Sequence, residues 1–215
     1  MRITALQPQI NNQDRINLFV DDQFLLGVSA LIVLQMGLHI GQELSPEQLE
    51  QLRQEEALQQ ATNQALNFLS FRPRSREEVR RYLRKKETPP ELIDTIMQRL
   101  DDLNLINDQA FTEFWVESRE RSNPKGAQAL KNELRSKGVK RELVDDLISD
   151  DQDEDRALRA GRKKAVLLAR QPEMNFKTFR ARLGPFLQRR GFSYEVTTHA
   201  VHALWKEMYS QEPEG

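Results

Sequence analysis

The chain has no cysteine, no long apolar run and almost no net charge, and each absence removes a class of function. Without cysteine there are no disulfides, no thiolate catalysis and no cysteine-ligated zinc, which fits a reducing compartment. Nothing approaches the roughly 18 uninterrupted apolar residues of a membrane span, and the N-terminus lacks a signal-peptide core. A cytoplasmic protein without membrane association is expected. There is no Gly-rich phosphate loop and no nucleophile–base constellation, so neither an enzyme nor a cofactor is expected. His199 and His202, three apart on a helix, have no third ligand, so no metal site is expected. Asp150, Asp151, Asp153 and Asp155 lack the glycine and terminal glutamate of a calcium loop, and their simpler role is to complement a helix N-terminus. A formal net charge of −1 argues against a uniformly basic nucleic-acid binder.

What is present is mostly helical. Short β-prone runs at 3–7, 15–20 and 24–28 are separated by Asn11-Asn12 and Asp21-Asp22, and predict a small antiparallel cap. Ser29 can cap a short helix ending at Gly37, and Ser45-Pro46 with Gln48 can cap another. Leu31, Leu34 and Leu38 read as core. From Ala57 onward apolar residues recur at helical spacing. Ser75 followed by Glu78 forms a capping box opening a helix with Val79, Tyr82 and Leu83 on one side and arginines on the other.

That helix is restated downstream. An offset of 51 residues superimposes Leu83 on Leu134, Leu92 on Leu143, Ile93 on Val144 and Ile96 on Leu147. A further offset of 53 places Leu130 on Leu183, Leu134 on Leu187 and Gly138 on Gly191. Gly138 and Gly191 fall where a helix end wants a left-handed residue. The reading is mainly α: tandem three-helix repeats forming an elongated curved array, with a small N-terminal β-containing cap. Its expected divisions are 1–56 for the cap, then repeats over 57–106, 107–150 and 151–215. Expected helices are 57–70, 75–86 and 89–103; 107–121, 124–137 and 140–149; 153–170, 176–190 and 193–209. Pro185 predicts a kink or late start in the middle helix of the third repeat. Trp115 with Phe111, and Trp205 with Val201, read as core pairs rather than base-stacking platforms.

Charge is blocked rather than mixed. Residues 72–86 and 119–141 each hold eight basic and two acidic side chains, and an acidic stretch over 142–155 precedes a basic one over 156–190. Arg80 and Arg84 coincide with Lys131 and Arg135 at the 51-residue offset, so one helix face is basic twice. The third repeat has Gly184 and Gln188 there, and Arg162, Lys163, Lys164, Arg189 and Arg190 are its available replacements. Equivalent basic faces suit phosphates or an acidic protein surface.

The segments LSFRPRSREEVRRYL (69–83), LDDLNLINDQAF (100–111) and LRSKGV (134–139), with DRINLFVDDQFLLGVS and MGLHIGQELS near the N-terminus, resemble the bacterial RecX regulators of the RecA recombinase over nearly the whole chain. The resemblance implies tandem three-helix repeats lying in the groove of a RecA filament on single-stranded DNA, restraining ATP hydrolysis, strand exchange and coprotease activity during recombination, DNA repair and the SOS response. A repeating charged surface supplies a means, through multivalency and electrostatic steering. Expected contact residues are Arg72, Arg74, Arg76, Arg80 and Arg84, with Lys125, Lys131 and Arg135, and in the third repeat Arg162, Lys163, Lys164, Arg189 and Arg190. A monomer is expected, with single- or double-stranded DNA as a further contact. Two other readings stay open: a free-standing helix-turn-helix-like DNA-binding protein, and a passive helical scaffold whose charge serves solubility.

Overall fold

The computed structural model describes residues 1–209. It divides into two compact units, one of Met1–Arg72 with Arg80–Leu103, the other of Pro73–Val79 with the chain from Asn104 onward.

The first unit opens with an antiparallel meander, β1 (Ile3–Gln9), β2 (Asn12–Val20) and β3 (Gln23–Ser29), paired in the order β1-β2-β3. The strands are longer than the apolar runs predict, and the turn between β2 and β3 is where expected. Asp21 and Asp22 both take left-handed backbone there (φ 50° and 62°), which a two-residue hairpin turn requires and aspartate tolerates. Ser29 caps α1 (Ala30–Gln35) by accepting from Leu31 N–H. Leu38 is buried as expected. Leu31 and Leu34 are not core residues, being 47% and 78% exposed. The reason is that α1 is a short helix that buries Ile32 and Val33 and so turns its other side outward.

Ser45 and Gln48 form the expected capping box, but the helix they open, α2 (Pro46–Ser70), runs without a break through residue 57. No separate helix starts there. Buried Glu56 secures this stretch to the cap, pairing with Arg15 at 2.8 Å and accepting from Ser29 N–H at 2.7 Å. This buried glutamate ties the helix to the cap across the boundary at which the repeats are expected to begin. α3 (Arg76–Lys85), whose first turn through Val79 belongs to the second unit, and α4 (Pro90–Asp102) follow, with Leu83, Ile93, Ile96, Met97 and Leu100 buried. Tyr82 stacks on Phe68 of α2.

The second unit contains two three-helix groups: α5 (Asp108–Ser122), α6 (Ala127–Ser136) and α7 (Arg141–Leu147), then α8 (Asp153–Ala169), α9 (Phe176–Gln188) and α10 (Tyr194–Tyr209). Phe111, Leu130, Leu134 and Val144 centre one core; Phe179, Leu183, Leu187, Val201 and Leu204 centre the other. Trp115 and Trp205 pack at their edges, as the apolar spacing predicts. α9 starts on time despite Pro185. Asn175 caps it by accepting from Thr178 N–H at 3.0 Å, and the proline falls near its C-terminal end, where little hydrogen bonding is lost.

All three middle helices stop with the same turn. Thr88, Val139 and Phe192 each donate N–H to the carbonyl five residues back, of Leu83, Leu134 and Leu187. Glu87, Gly138 and Gly191 donate to Arg84, Arg135 and Gln188. This is the Schellman arrangement, recurring at the 51- and 53-residue offsets. Its left-handed residue is Glu87 (φ 59°) the first time and glycine thereafter. The two glycines answer to close approach as well as to φ. A Cβ on Gly138 would lie 2.2 Å from Glu77 Cβ, and one on Gly191 would lie 2.4 Å from Ala129 Cβ.

Those approaches belong to a joint that the second unit contains twice. Asp108, the first residue of α5, accepts from Arg76 N–H at 2.8 Å; Asp153, the first residue of α8, accepts from Ala127 N–H at 2.9 Å. In each case the first residue of one helix neutralises the positive end of the preceding middle helix. Beside it, Ser75 Oγ donates to Lys137 O at 2.6 Å, and Gly126 N–H donates to Arg190 O at 3.0 Å. A middle helix thus begins against the end of the next one. From sequence Asp153 reads as complementing the N-terminus of its own helix, whereas its carboxylate serves the start of another helix.

Candidate partner-binding surface

Most of the expected contact cations have partners within the chain. In the first unit Arg80 Nη1 pairs with Asp94 Oδ1 at 2.7 Å, from α3 to α4. In the second, Lys131 and Arg135 of α6 both reach Asp145 of α7, at 3.2 and 2.9 Å, and Arg141 joins them at 3.2 Å. The hydrogen bond from Lys131, opposed by burial and aided by Arg141 and the charges of Lys131 and Arg135, holds the Asp145 carboxyl below its usual range. Asp94 and Asp145 are themselves 51 residues apart. The repeated basic face is therefore one side of a repeated clamp between middle and third helices.

The third repeat tests this interpretation by substitution. At the corresponding offset it carries Gly184, Gln188 and Thr198, so both cations and their acid are missing together. Residues that met only an outside ligand would have no reason to lose their internal aspartate with them.

Lys125 is also engaged. It pairs with Glu133, which additionally accepts from Trp115 Nε1 and Arg119 Nε, both at 2.8 Å. Burial raises the Glu133 carboxyl, and the hydrogen bonds from Arg119, Lys125 and Trp115 outweigh it, leaving the group below its ordinary value. Arg119 and Lys137 lie over the Trp115 ring at 4.3 and 4.2 Å, so its faces are occupied by the protein's own cations. Arg72, Arg74, Arg76 and Arg84 all make interactions within the chain.

The third repeat's cations separate. Arg162 turns toward α10 and pairs with Glu207 at 3.0 Å. Arg190 donates to Asn123 and to the Pro124 carbonyl, and lies 4.5 Å from the Phe186 ring centre; its burial lowers the guanidinium pKa. Lys164 sits over the same ring at 4.6 Å. Lys163 and Arg189 are exposed and form no ion pair among the described residues. Lys163, Lys164 and Arg190 converge on a groove of about 770 Å³ between the end of α5 and α8, and Arg189 does not line it. Arg121, Arg159 and Leu167, which also line it, were not singled out from the sequence. For Arg159 and Leu167 the signal available was four-residue spacing along α8, where they share one row with Lys163; Arg121 lies on α5 and has no such signal.

The histidines stand apart. His199 Nδ1 lies 3.2 Å from Glu154, and His202 packs on Phe176. Among the described residues, no three His, Cys, Asp or Glu side chains are arranged to hold a metal ion, and no helix is long and apolar enough to cross a membrane.

Comparison with known proteins agrees along the chain. Residues 1–45 match the family model for the regulatory protein RecX N-terminal domain, 61–100 the RecX first three-helix domain, and 107–148 the RecX second three-helix domain. Regulatory protein RecX of Bacillus subtilis is 33% identical over 202 residues, covering 94% of this chain and 76% of the relative. That of Listeria welshimeri is 30% identical, covering 93% and 74%. A crystal structure of regulatory protein RecX superimposes with a TM-score of 0.66 at 23% identity, over 93% of this chain and 98% of the other, and so supports the fold. With family models matched in succession and relatives similar over almost its whole length, the chain belongs to the RecX family of regulatory proteins.

Proposed function

We propose that this protein is a non-enzymatic, monomeric regulator that binds the RecA filament on single-stranded DNA, in its groove, and lowers RecA's ATP hydrolysis, strand exchange and coprotease activity. The observation that carries the reading is the family match in the cap and in two successive three-helix domains. A filament offers regularly spaced subunits, and repeated helical domains suit such a lattice, because linked weak contacts reinforce one another. Of the expected contact residues, we assign the leading role to those without an ion pair among the described residues, Lys163 and Arg189; Lys164, over Phe186, and Arg159, weakly paired with Glu120, flank Lys163. Arg80, Lys131 and Arg135 act mainly within their own repeats. That engagement also weighs against a free-standing duplex binder, which would need the middle-helix cations for phosphates.

The test is RecA ATP hydrolysis on single-stranded DNA, titrated with this protein. The rate falls to a plateau if the reading is right. An unchanged rate at saturating protein rejects it, and sequence-selective duplex binding without RecA would favour the DNA-binding alternative.

A further inference from the structure

The groove along α8 has a chemistry that points to its ligand. One row of the helix presents Arg159, Lys163 and Leu167 in order, and the next presents Ala160, Lys164 and Leu168. Leu167 is 56% exposed and stands in one row with two exposed cations. Among the described residues the one carboxylate lining the groove, Glu120, is shared by Arg156 at 3.1 Å and Arg159 at 3.9 Å. Among the described residues, then, the groove has a cationic end without a free counter-charge and an apolar end without a cover.

A nucleic-acid strand fits this poorly. The aromatic ring lining it, Phe186, already holds Lys164 and Arg190 within 4.6 Å of its centre, so a base stacking there would compete with the protein's own cations. A phosphodiester backbone would satisfy the cations and leave Leu167 in water. An acidic peptide with one apolar side chain satisfies both ends, and opposite charge would steer its approach. The dimensions agree. Residues four apart on a helix are separated by about 6 Å along the axis, and alternate residues of an extended chain by about 6.6 Å.

We propose that this groove binds an extended acidic segment of a partner protein with the pattern acidic, any, acidic, any, apolar, in either chain direction, its carboxylates on Arg159 and Lys163 and its apolar side chain on Leu167. The assignment rests on the groove's own geometry and does not require RecA to be the partner.

Fluorescence anisotropy of a labelled Glu-Ser-Glu-Ser-Leu peptide, flanked by glycines and titrated with the full-length protein, tests it. The patterned peptide binds about tenfold more tightly than a scrambled Glu-Glu-Leu-Ser-Ser version, and Lys163→Glu and Leu167→Ser each weaken it about tenfold. Both substitutions are at exposed positions, and thermal melts confirm that the variants stay folded. Equal binding of patterned and scrambled peptides, or no binding, overturns the proposal. So does a short oligothymidylate that binds more tightly than the peptide and loses affinity in Lys163→Glu while ignoring Leu167→Ser, since that assigns the groove to phosphodiesters. A RecA assay that fails while the peptide binds as described would leave the groove assignment standing.

Discussion

The second and third repeats share a packing plan and differ in how they use charge. Both end their middle helix in a Schellman turn at a glycine pressed against an earlier helix. Both receive or provide the same aspartate-to-helix joint. The second then spends two cations on Asp145, whereas the third has neither cations nor acid at those positions and instead shows an unpaired lysine beside an exposed leucine. Basic residues in such a fold thus belong to two populations, those that hold a repeat together and those that are open to a partner.

The two joints give the largest expected difference. Asp153 is buried and accepts from Ala127 N–H, so Asp153→Ala leaves that buried donor open and removes one partner of Arg156, which keeps Glu120; stability in urea denaturation should fall by about 3 kcal/mol. Asp108 is only half-buried, and Asp108→Ala should lower it by about 1 kcal/mol. Equal effects would mean that the difference in burial does not separate the two joints.

The terminal turns come next. Gly138→Ala should cost about 2 kcal/mol, from both its left-handed φ and the approach of Glu77. Glu87→Gly should instead stabilise by about 0.5 kcal/mol, because relief of the left-handed strain slightly exceeds glycine's extra entropy loss. Destabilisation by Glu87→Gly would show that this glutamate has a role beyond the turn.

A smaller effect separates two carboxylates by pH. Glu133 is held below its unfolded pKa, so its stabilisation is present above that value and lost as pH falls through the folded one. Burial raises Asp153 despite its hydrogen bonds from Ala127 and Arg156, so its native form binds protons more readily and its contribution weakens as pH rises through that window. Denaturation across acid pH should therefore show a shallower acid-side loss in Glu133→Gln than in the wild type. An unchanged profile would remove Glu133 as an acid-sensitive tie.

Much of this was readable in the chain. The offsets of 51 and 53 residues hold because they reflect which leucines face each core, and the glycines because the backbone they need is restrictive. The clamp was missed although Asp94 and Asp145 obey the same offset as the cations. An ion pair across helices leaves no periodic mark within either helix, so Arg80 and Lys131 look like an outward face. The role of Glu56 is hidden for a related reason, since burial by a distant partner, Arg15, cannot be seen locally. Leu34 misled in the opposite sense, because a one-and-a-half-turn helix buries only its central residues.

The division of cations into internal and available sets is tested most directly by comparing two variants in RecA ATP hydrolysis on single-stranded DNA. One is the charge-neutral clamp Lys131→Gln, Arg135→Gln, Asp145→Asn; the other is Lys163→Glu. The clamp variant should inhibit within about twofold of the wild type, while Lys163→Glu should need about tenfold more protein for half-inhibition. The reverse order, with inhibition lost in the folded clamp variant and kept in Lys163→Glu, would contradict the account.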